Sequence, residues 1–284
     1  MFAPAQIAFH LTQIEFQLFS EIPQREYLHN AWSKKGGEAK KLGKLIERFN
    51  AVSFWAVTSI LTHGHSTKKR SPMLALFIAV ADSCLKLQNY QSAMQIFSAL
   101  NMSPVQRLKD EWKALPKRSQ QIYADLQVFF ASENNFRNYR NVIRTVAAPA
   151  IPLLSMILSD LTMIEENDNN IDIKDSPAVT IEAGAASGTE EKLIHFEKMT
   201  MIYETLSVLK RCFEVSYSEA MIESIAAGEG TKGEGTTEEL QWMLKVLPRL
   251  PEKELYEFKG DSKKKVVKEL KKAYKTVAKE RKKA

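Results

Sequence analysis

SPMLALFIAVADSCLKLQNYQSAMQIFSALNMSPVQRLKDEW, residues 71–112, decides the fold. Met73, Phe77, Val80, Cys84 and Leu87 recur at alternating spacings of four and three, the period of one helical face, in a segment apolar on most sides. That pattern predicts a helix deep in a core. The run MLALFIAVA at 73–81 is the longest nearly unbroken apolar stretch, far short of the roughly 20 residues a membrane helix needs. Ser103-Pro104-Val105-Gln106 predicts a helix start: Ser103 can cap, Pro104 fits the first turn where its missing N–H is harmless, and Gln106 can reach back as in a capping box. One helix should therefore end near Leu100 and the next begin near Pro104.

The same period extends outward in both directions. Ile7, Leu11, Ile14 and Leu18 predict a helix ending near Pro23, and Leu42, Ile46, Phe49, Ala56 and Ile60 predict a second. Downstream, stripes lie in 119–130, 135–146, 152–164 and 191–212, with weaker ones at 217–226, 236–247 and 262–282. Only 11 Gly and 10 Pro occur in 284 residues, too few turn formers for an all-β or α/β fold, so the expected class is all-α. Between 167 and 190 the sequence NDNNIDIKDSPAVTIEAGAASGTE has no sustained apolar face and reads as a long flexible loop, as does AGEGTKGEGTT at 227–237.

Two cysteines, Cys84 and Cys212, cannot build a disulfide framework, and no leader pattern opens the chain; both fit a reducing, cytoplasmic setting. The net charge of +6 is concentrated at one end. Residues 260–284 hold 11 basic and 3 acidic side chains, against 40 and 34 in the whole chain, so residues 1–259 are slightly acidic. A basic stripe confined to one terminal segment argues against nucleic acid as the main partner.

Familiar catalytic patterns are weak or missing. GEGTKG at 228–233 has the letters G-x-G-x-x-G, yet no strand precedes it and Glu229 would repel a phosphate. His63 and His65 lack the further Cys or His neighbours that a zinc site requires, so no metal and no cofactor are expected. A hydrolase using Glu165 or Glu166 with one of the five histidines has no recognisable constellation. The Glu165-Glu166 pair closes the apolar 152–164 helix, where acidic groups are mildly unfavourable for the helix dipole.

PAIPLLSMILSDLTMIEEND at 149–168 resembles the helical-hairpin segment of Ras-family guanine-nucleotide exchange factors, in which P-C-x-P-F, a Leu-rich helix and E-E-G-N follow one another. IAFHLTQIEFQLFSEI at 7–22 is similar to the opening helix of that family, and IERFNAVSFWAVTSIL at 46–61 to its I-E-R-F-N-x-V-S-x-W-V motif. LQNYQSAMQIFSALNMSPVQRLKDEW at 87–112 is similar to the N-N-F-x-S…L-N-S-S-P-V-x-R-L core. NNFRNYR at 134–140, LIHFEK at 193–198 and LPRLPEKELYE at 247–257 fall in the same order, so the resemblance covers about residues 5–258.

The resemblance implies one helical catalytic domain, residues 1–259, with a protruding hairpin at about 152–212 whose arms are joined by the loop 167–190. It also implies a protein that binds a Ras-like GTPase and speeds nucleotide release without covalent chemistry. By motif position Glu166 would stand where a phosphate otherwise sits, and Thr162 and Ile164 would crowd the metal and phosphate sites of the GTPase. Met94, Ser98, Asn101, Ser103 and Gln106 would face its second switch; Phe49, Asn50, Asn135, Phe136 and Leu153 complete the expected contacts, with Leu153 and Phe136 as anchors.

The sequence departs from the family pattern at several points: Leu153 replaces Phe, Ala150 replaces Cys, Asn167 stands where E-E-G-N has glycine, and Met199-Thr200 replace a basic pair. Asn167 is expected to take the left-handed turn conformation in place of that glycine. The hairpin loop is longer than usual, and the chain starts without the helical domain that often braces the hairpin, which implies either a self-supporting hairpin or a piece of a longer protein. These departures keep a second reading open, an exchange-silent GTPase-binding or scaffold module. In the tail 260–284, Val266, Val267, Leu270, Tyr274 and Val277 form a stripe under a Lys-rich face. That pattern suits a helix lying on an anionic membrane through 262–283, and equally a helix packed on the domain.

Overall fold

The computed structural model describes residues 2–34, 37, 39–64, 66–167, 196–217, 244 and 249–257. They form helices α1 (Pro4–Ser20), α2 (Lys40–Thr62), α3 (Thr67–Lys86), α4 (Tyr90–Asn101), α5 (Ser103–Gln106) and α6 (Lys109–Lys113), with a 3₁₀ turn at Gln24–Tyr27 between the first two. There follow α7 (Lys117–Phe129), α8 (Glu133–Thr145), α9 (Leu154–Asn167), α10 (Phe196–Cys212) and α11 (Glu252–Glu257). Among the described residues the only strand-like pairing is an isolated bridge between Asn89 and Ile151, so the all-α expectation holds. The loop expected from 168 onward, the glycine-rich 227–237 segment, the tail 260–284, His65 and nearly all of the stripes at 217–226 and 236–247 lie outside the described residues.

The stripe Met73, Phe77, Val80, Cys84, Leu87 is buried throughout, and α3 packs between α1 and α4. Trp55 of α2 meets Phe77 edge-on, ring centroids 5.2 Å apart. In α2 the buried face runs through Leu42, Leu45, Val52, Ala56 and Ile60, whereas Ile46 is exposed and Phe49 half-buried. The expected stripe thus had the right helix and a slightly rotated face. Both cysteines are buried free thiols, and burial pushes that of Cys212 up to about 11.

Three polar devices fix the packing of these helices. Asn89 caps α4 by accepting from Ser92 N (2.9 Å) and donates to Thr12 on α1 (3.0 Å). Arg48 Nε on α2 donates to the fully buried Glu15 carboxylate on α1 (2.7 Å), which also receives Gln95 Nε2 (3.3 Å). Burial outweighs those favourable contacts and holds the Glu15 carboxyl above the usual carboxylate range. Arg70 and Glu111 form a second pair across α3 and α6 (3.1 Å).

The break after Leu100 comes where expected, with Pro104 in the first turn of α5. The capping expected there does not form. Met102 takes the cap position without a side-chain bond, and Gln106 Nε2 donates instead to the Leu100 carbonyl (2.8 Å) and to the Tyr123 hydroxyl (3.0 Å).

Candidate functional site

α9 and α10 pack against each other as the two arms of a hairpin. The root of the hairpin is hydrogen-bonded to the body at each step. Ile151 N donates to Gln88 O (2.9 Å), Tyr90 N to Ile151 O (3.0 Å), Leu154 N to Gln91 Oε1 (3.1 Å) and Ala150 N to Cys212 O (3.0 Å). The Tyr139 hydroxyl of α8 accepts from Leu153 N (2.9 Å).

Beyond the root, the inner face of the hairpin closes a second apolar cluster. Leu154, Ile157 and Leu161, spaced three and four, bury one stripe of α9, and Ile202 and Leu209 supply the matching stripe of α10. They pack on Phe19, Ile22, Tyr27, Leu42 and Leu45, which come from the end of α1, the 3₁₀ turn and the start of α2. Phe16 and Phe19 hold Phe213 just past α10, with ring centroids 5.0 and 5.7 Å away. Each fully buried side chain of this size contributes about 1.5–3 kcal/mol, so the N-terminal helices themselves brace the hairpin.

At the far end of α9 the acidic pair divides. Glu165 is turned back on the body: Lys198 Nζ of α10 lies 2.7 Å from Oε2, and His29 N donates to Oε1 (3.2 Å). One turn earlier the Thr162 hydroxyl donates to Leu158 O (2.9 Å) and lies 3.3 Å from the Asn30 side chain. His29 and Asn30 both have left-handed backbone, φ 55° and 52°, which bends their loop onto the hairpin. Ile164 is half-buried against the second cluster. Glu166 is exposed and has no hydrogen-bond or ion-pair partner among the described residues. Asn167 continues the helix, so the left-handed turn expected there does not occur at that residue.

A second group of expected residues gathers on α4 and α5. Asn101, Ser103 and Gln106 are exposed and Ser98 half-exposed, while Met94 is half-buried against the core. The Tyr123 hydroxyl of α7 donates to Asn101 Oδ1 (2.9 Å) and accepts from Gln106, and Asn101 Nδ2 donates to Phe97 O (2.8 Å), so one tyrosine sets the orientation of both amides. Burial raises the Tyr123 hydroxyl above its ordinary range, which keeps it protonated and able to donate. On α2, Asn50 is exposed and Phe49 half-buried.

The NNFRNYR segment forms a third element. Asn134, Asn135 and Phe136 make one left-handed turn, φ 50°, 56° and 57°, before α8 resumes its right-handed course. Asparagine tolerates that region, but phenylalanine there is strained by about 1–2 kcal/mol. Contacts on both sides hold it: the Phe136 ring packs against the core, and Arg140 Nε donates to Asn135 O (2.9 Å). Arg140 also grips Asp160 of α9 through both terminal nitrogens (2.8 and 2.7 Å).

One expected contact is corrected. Leu153 is completely buried at the hairpin root and offers no surface to a partner. Leu153→Ala is expected to lower folding stability by about 2–5 kcal/mol, read by urea denaturation, because it opens a cavity under α9. A stability loss below 1 kcal/mol would show that the site collapses around the gap. Sequence reading missed Tyr123, His29, Asn30 and Arg140. Arg140 stood in the quoted NNFRNYR motif, but its partner lies 20 positions on and no local spacing marks it.

No group of three or more metal-ligating side chains exists among the described residues, and none of their helices is long and apolar enough to cross a membrane.

The described residues thus form a helical body carrying a two-helix arm, with exposed polar residues on α4–α5 and a strained loop beside the arm. The sequence profile of the RasGEF domain matches residues 6–200, and the chain belongs to that family. It is 30% identical over 264 residues to Ras guanine nucleotide exchange factor M of Dictyostelium discoideum, covering 90% of this chain and 25% of that protein. Against exchange factor A of the same organism it is 35% identical over 215 residues, 75% of this chain and 33% of the other; against factor W, 32% over 216 residues, 75% and 17%. The chain spans a third or less of the length of these curated relatives.

Proposed function

We propose that this domain binds a Ras-family GTPase and accelerates release of its bound nucleotide, the α9–α10 hairpin holding the first switch open. The observation that carries this is the division at the end of α9, where Glu165 is neutralised by Lys198 and the His29 amide while Glu166 is left exposed. The first glutamate sets the arm and the second presents an exposed carboxylate, unpaired among the described residues, near the end of α9. The fold and family are the further support.

The physics is a shift of population. A GTPase holds its nucleotide through a phosphate loop, a Mg²⁺ ion and closed switch segments, so release is slow because these contacts must be lost together. A partner with higher affinity for the open, nucleotide-poor form lowers that barrier, and it acts only through that difference in affinity. The Glu166 carboxylate competes with a returning phosphate by like-charge repulsion and by occupying its N–H donors. Thr162, one turn back, and Ile164, two residues back, bring steric bulk. Met94, Ser98, Asn101, Ser103 and Gln106 contribute the grip on the second switch, with Phe49, Asn50, Asn135 and Phe136 beside it. No covalent bond is made and no cofactor is used. A lipid-anchored target would place the domain at a membrane, where the basic 262–283 segment supplies electrostatic attraction.

Release of a fluorescent GDP analogue from a panel of Ras-family GTPases, with excess unlabelled nucleotide, tests this directly. Acceleration of at least one member, abolished in the Thr162→Asp/Glu166→Ala double variant, is the expected result. A panel that stays at its intrinsic rate, with one member still retained in a pull-down, overturns exchange and leaves the binding module.

A further inference from the structure

Contacts between α8 and α9 fall at two levels along the hairpin. At the root, the Tyr139 hydroxyl meets Leu153 N. Seven positions further, two helical turns and about 10 Å along the axis, Arg140 meets Asp160. A cavity of about 280 Å³ lies between α8, α9 and α10 beside this pair, with Tyr139, Met156, Glu204 and Val208 on its walls, so close packing does not hold α9 to α8 there. The apolar cluster of Leu154, Ile157 and Leu161 holds α9 against the body but gives little direction.

We infer that Arg140 is a positioning residue for exchange, fixing the angle of α9 and tying it to the left-handed turn at Asn135. Near its end α9 is bonded to the His29–Asn30 loop through Glu165 and Thr162; the Arg140–Asp160 pair, two turns out from Leu153, ties the middle of the helix to α8 instead and so restricts its swing about the root. From Leu153 to Glu166 is about 20 Å of helix, so a 10° pivot displaces the tip by about 3 Å. That displacement exceeds what a positioned group tolerates. The geometry also explains the residue type. The guanidinium is planar, donates two parallel bonds to Asp160 and still has Nε for the Asn135 carbonyl, three directed bonds that a lysine ammonium cannot reproduce in that plane. The Asp160 bonds also raise the guanidinium above its already high basicity, so it stays charged throughout the working range. Arg140 thereby makes one rigid unit of the hairpin and the Asn135–Phe136 turn.

This inference rests on the exchange reading, and two measurements separate them. Spin labels at Glu197→Cys on α10 and Gln127→Cys on α7, both exposed positions, report the distance from hairpin to body by pulsed dipolar spectroscopy. The native thiols are buried and stay unlabelled. Arg140→Ala and Asp160→Asn are expected to broaden the distance distribution, and to lower the maximal rate of GDP release about tenfold while changing KM by less than about threefold. Arg140→Lys falls between. The charge exchange Arg140→Asp/Asp160→Arg restores the ion pair but not the bond to the Asn135 carbonyl, which a carboxylate cannot donate, so it partly narrows the distribution and recovers part of the rate, which general destabilisation would not do. An unchanged distance distribution overturns the inference, as does an unchanged maximal rate in an active protein or a loss confined to KM. Should the wild-type chain accelerate no GTPase, the exchange reading falls, and the role of Arg140 in holding the hairpin is decided by the distances alone.

Discussion

Arg48→Met is expected to destabilise the domain by about 3–5 kcal/mol at pH 7.5, measured by urea denaturation. The reason is local. Glu15 is fully buried, and Arg48 at 2.7 Å is its ion-pair partner; Glu15 Oε2 and Arg48 Nη2 already lack hydrogen-bond partners among the described residues. Removing the guanidinium leaves a carboxylate in an apolar setting with only Gln95 donating to it. The sign of the pH dependence follows. Burial raises the Glu15 pKa, and Arg48 lowers it through charge and through its hydrogen bond, so the variant's folded-state pKa rises further. A raised folded-state carboxyl gives stability that is complete below the unfolded pKa and is lost as pH rises through the folded value. The deficit of the variant is therefore largest at neutral pH and shrinks as the solution is acidified toward pH 5. Glu15→Gln/Arg48→Met removes both charges and should recover most of the loss, since Gln95 can still donate to the new amide. A deficit that stays the same from pH 7.5 to 5 would mean that packing of the arginine stem, not the buried charge, accounts for it.

This pair also shows where the sequence stops being informative. Arg48 belongs to IERFN, a motif that reads as part of a recognition surface, and Glu15 lies 33 positions earlier in an apolar helix. Helical periodicity locates both helices but says nothing of two charges meeting between them. The elements themselves were legible because their signals are local: the stripe of α3, the Pro104 boundary, and the acidic end of α9. Non-local polar contacts were not. The Arg140–Asp160 clamp joins residues 20 apart, Lys198 reaches Glu165 from the other arm, and the His29–Asn30 loop meets α9 across more than 130 positions. Backbone strain was equally hidden, since nothing in the residue type suggests that Phe136 takes a left-handed conformation. Leu153 erred in the opposite sense. Its motif position suggested a contact surface, but that surface depends on whether Tyr139 and the α3–α4 loop close over the root, and here they do.

The two glutamates at the end of α9 should respond differently to the same truncation. Glu166→Ala is expected to reduce the maximal rate of GDP release by about a hundredfold, the scale of losing one directed electrostatic contact in a preorganised site. The free domain should be unaffected in stability, because the side chain is exposed and unpaired among the described residues. Affinity for the nucleotide-free GTPase should fall less than the rate, since the carboxylate acts against a returning phosphate rather than as an anchor. Glu165→Ala acts through geometry. It removes the Glu165 contacts of Lys198 and of the His29 amide together, loosening the two arms and the loop that closes on them. Its rate loss should be smaller, about tenfold, and accompanied by lower protection from hydrogen exchange in α10. Glu165→Gln, which can still accept from His29 N while losing the charge that holds Lys198, should lie between Glu165→Ala and wild type. Rapid-mixing measurements of GDP-analogue release at saturating domain, with exchange mapped in the free protein, distinguish the two. Equal effects of both alanine variants on rate and on protection would mean that the pair works as one structural unit, and Glu166 would lose its separate role at the nucleotide.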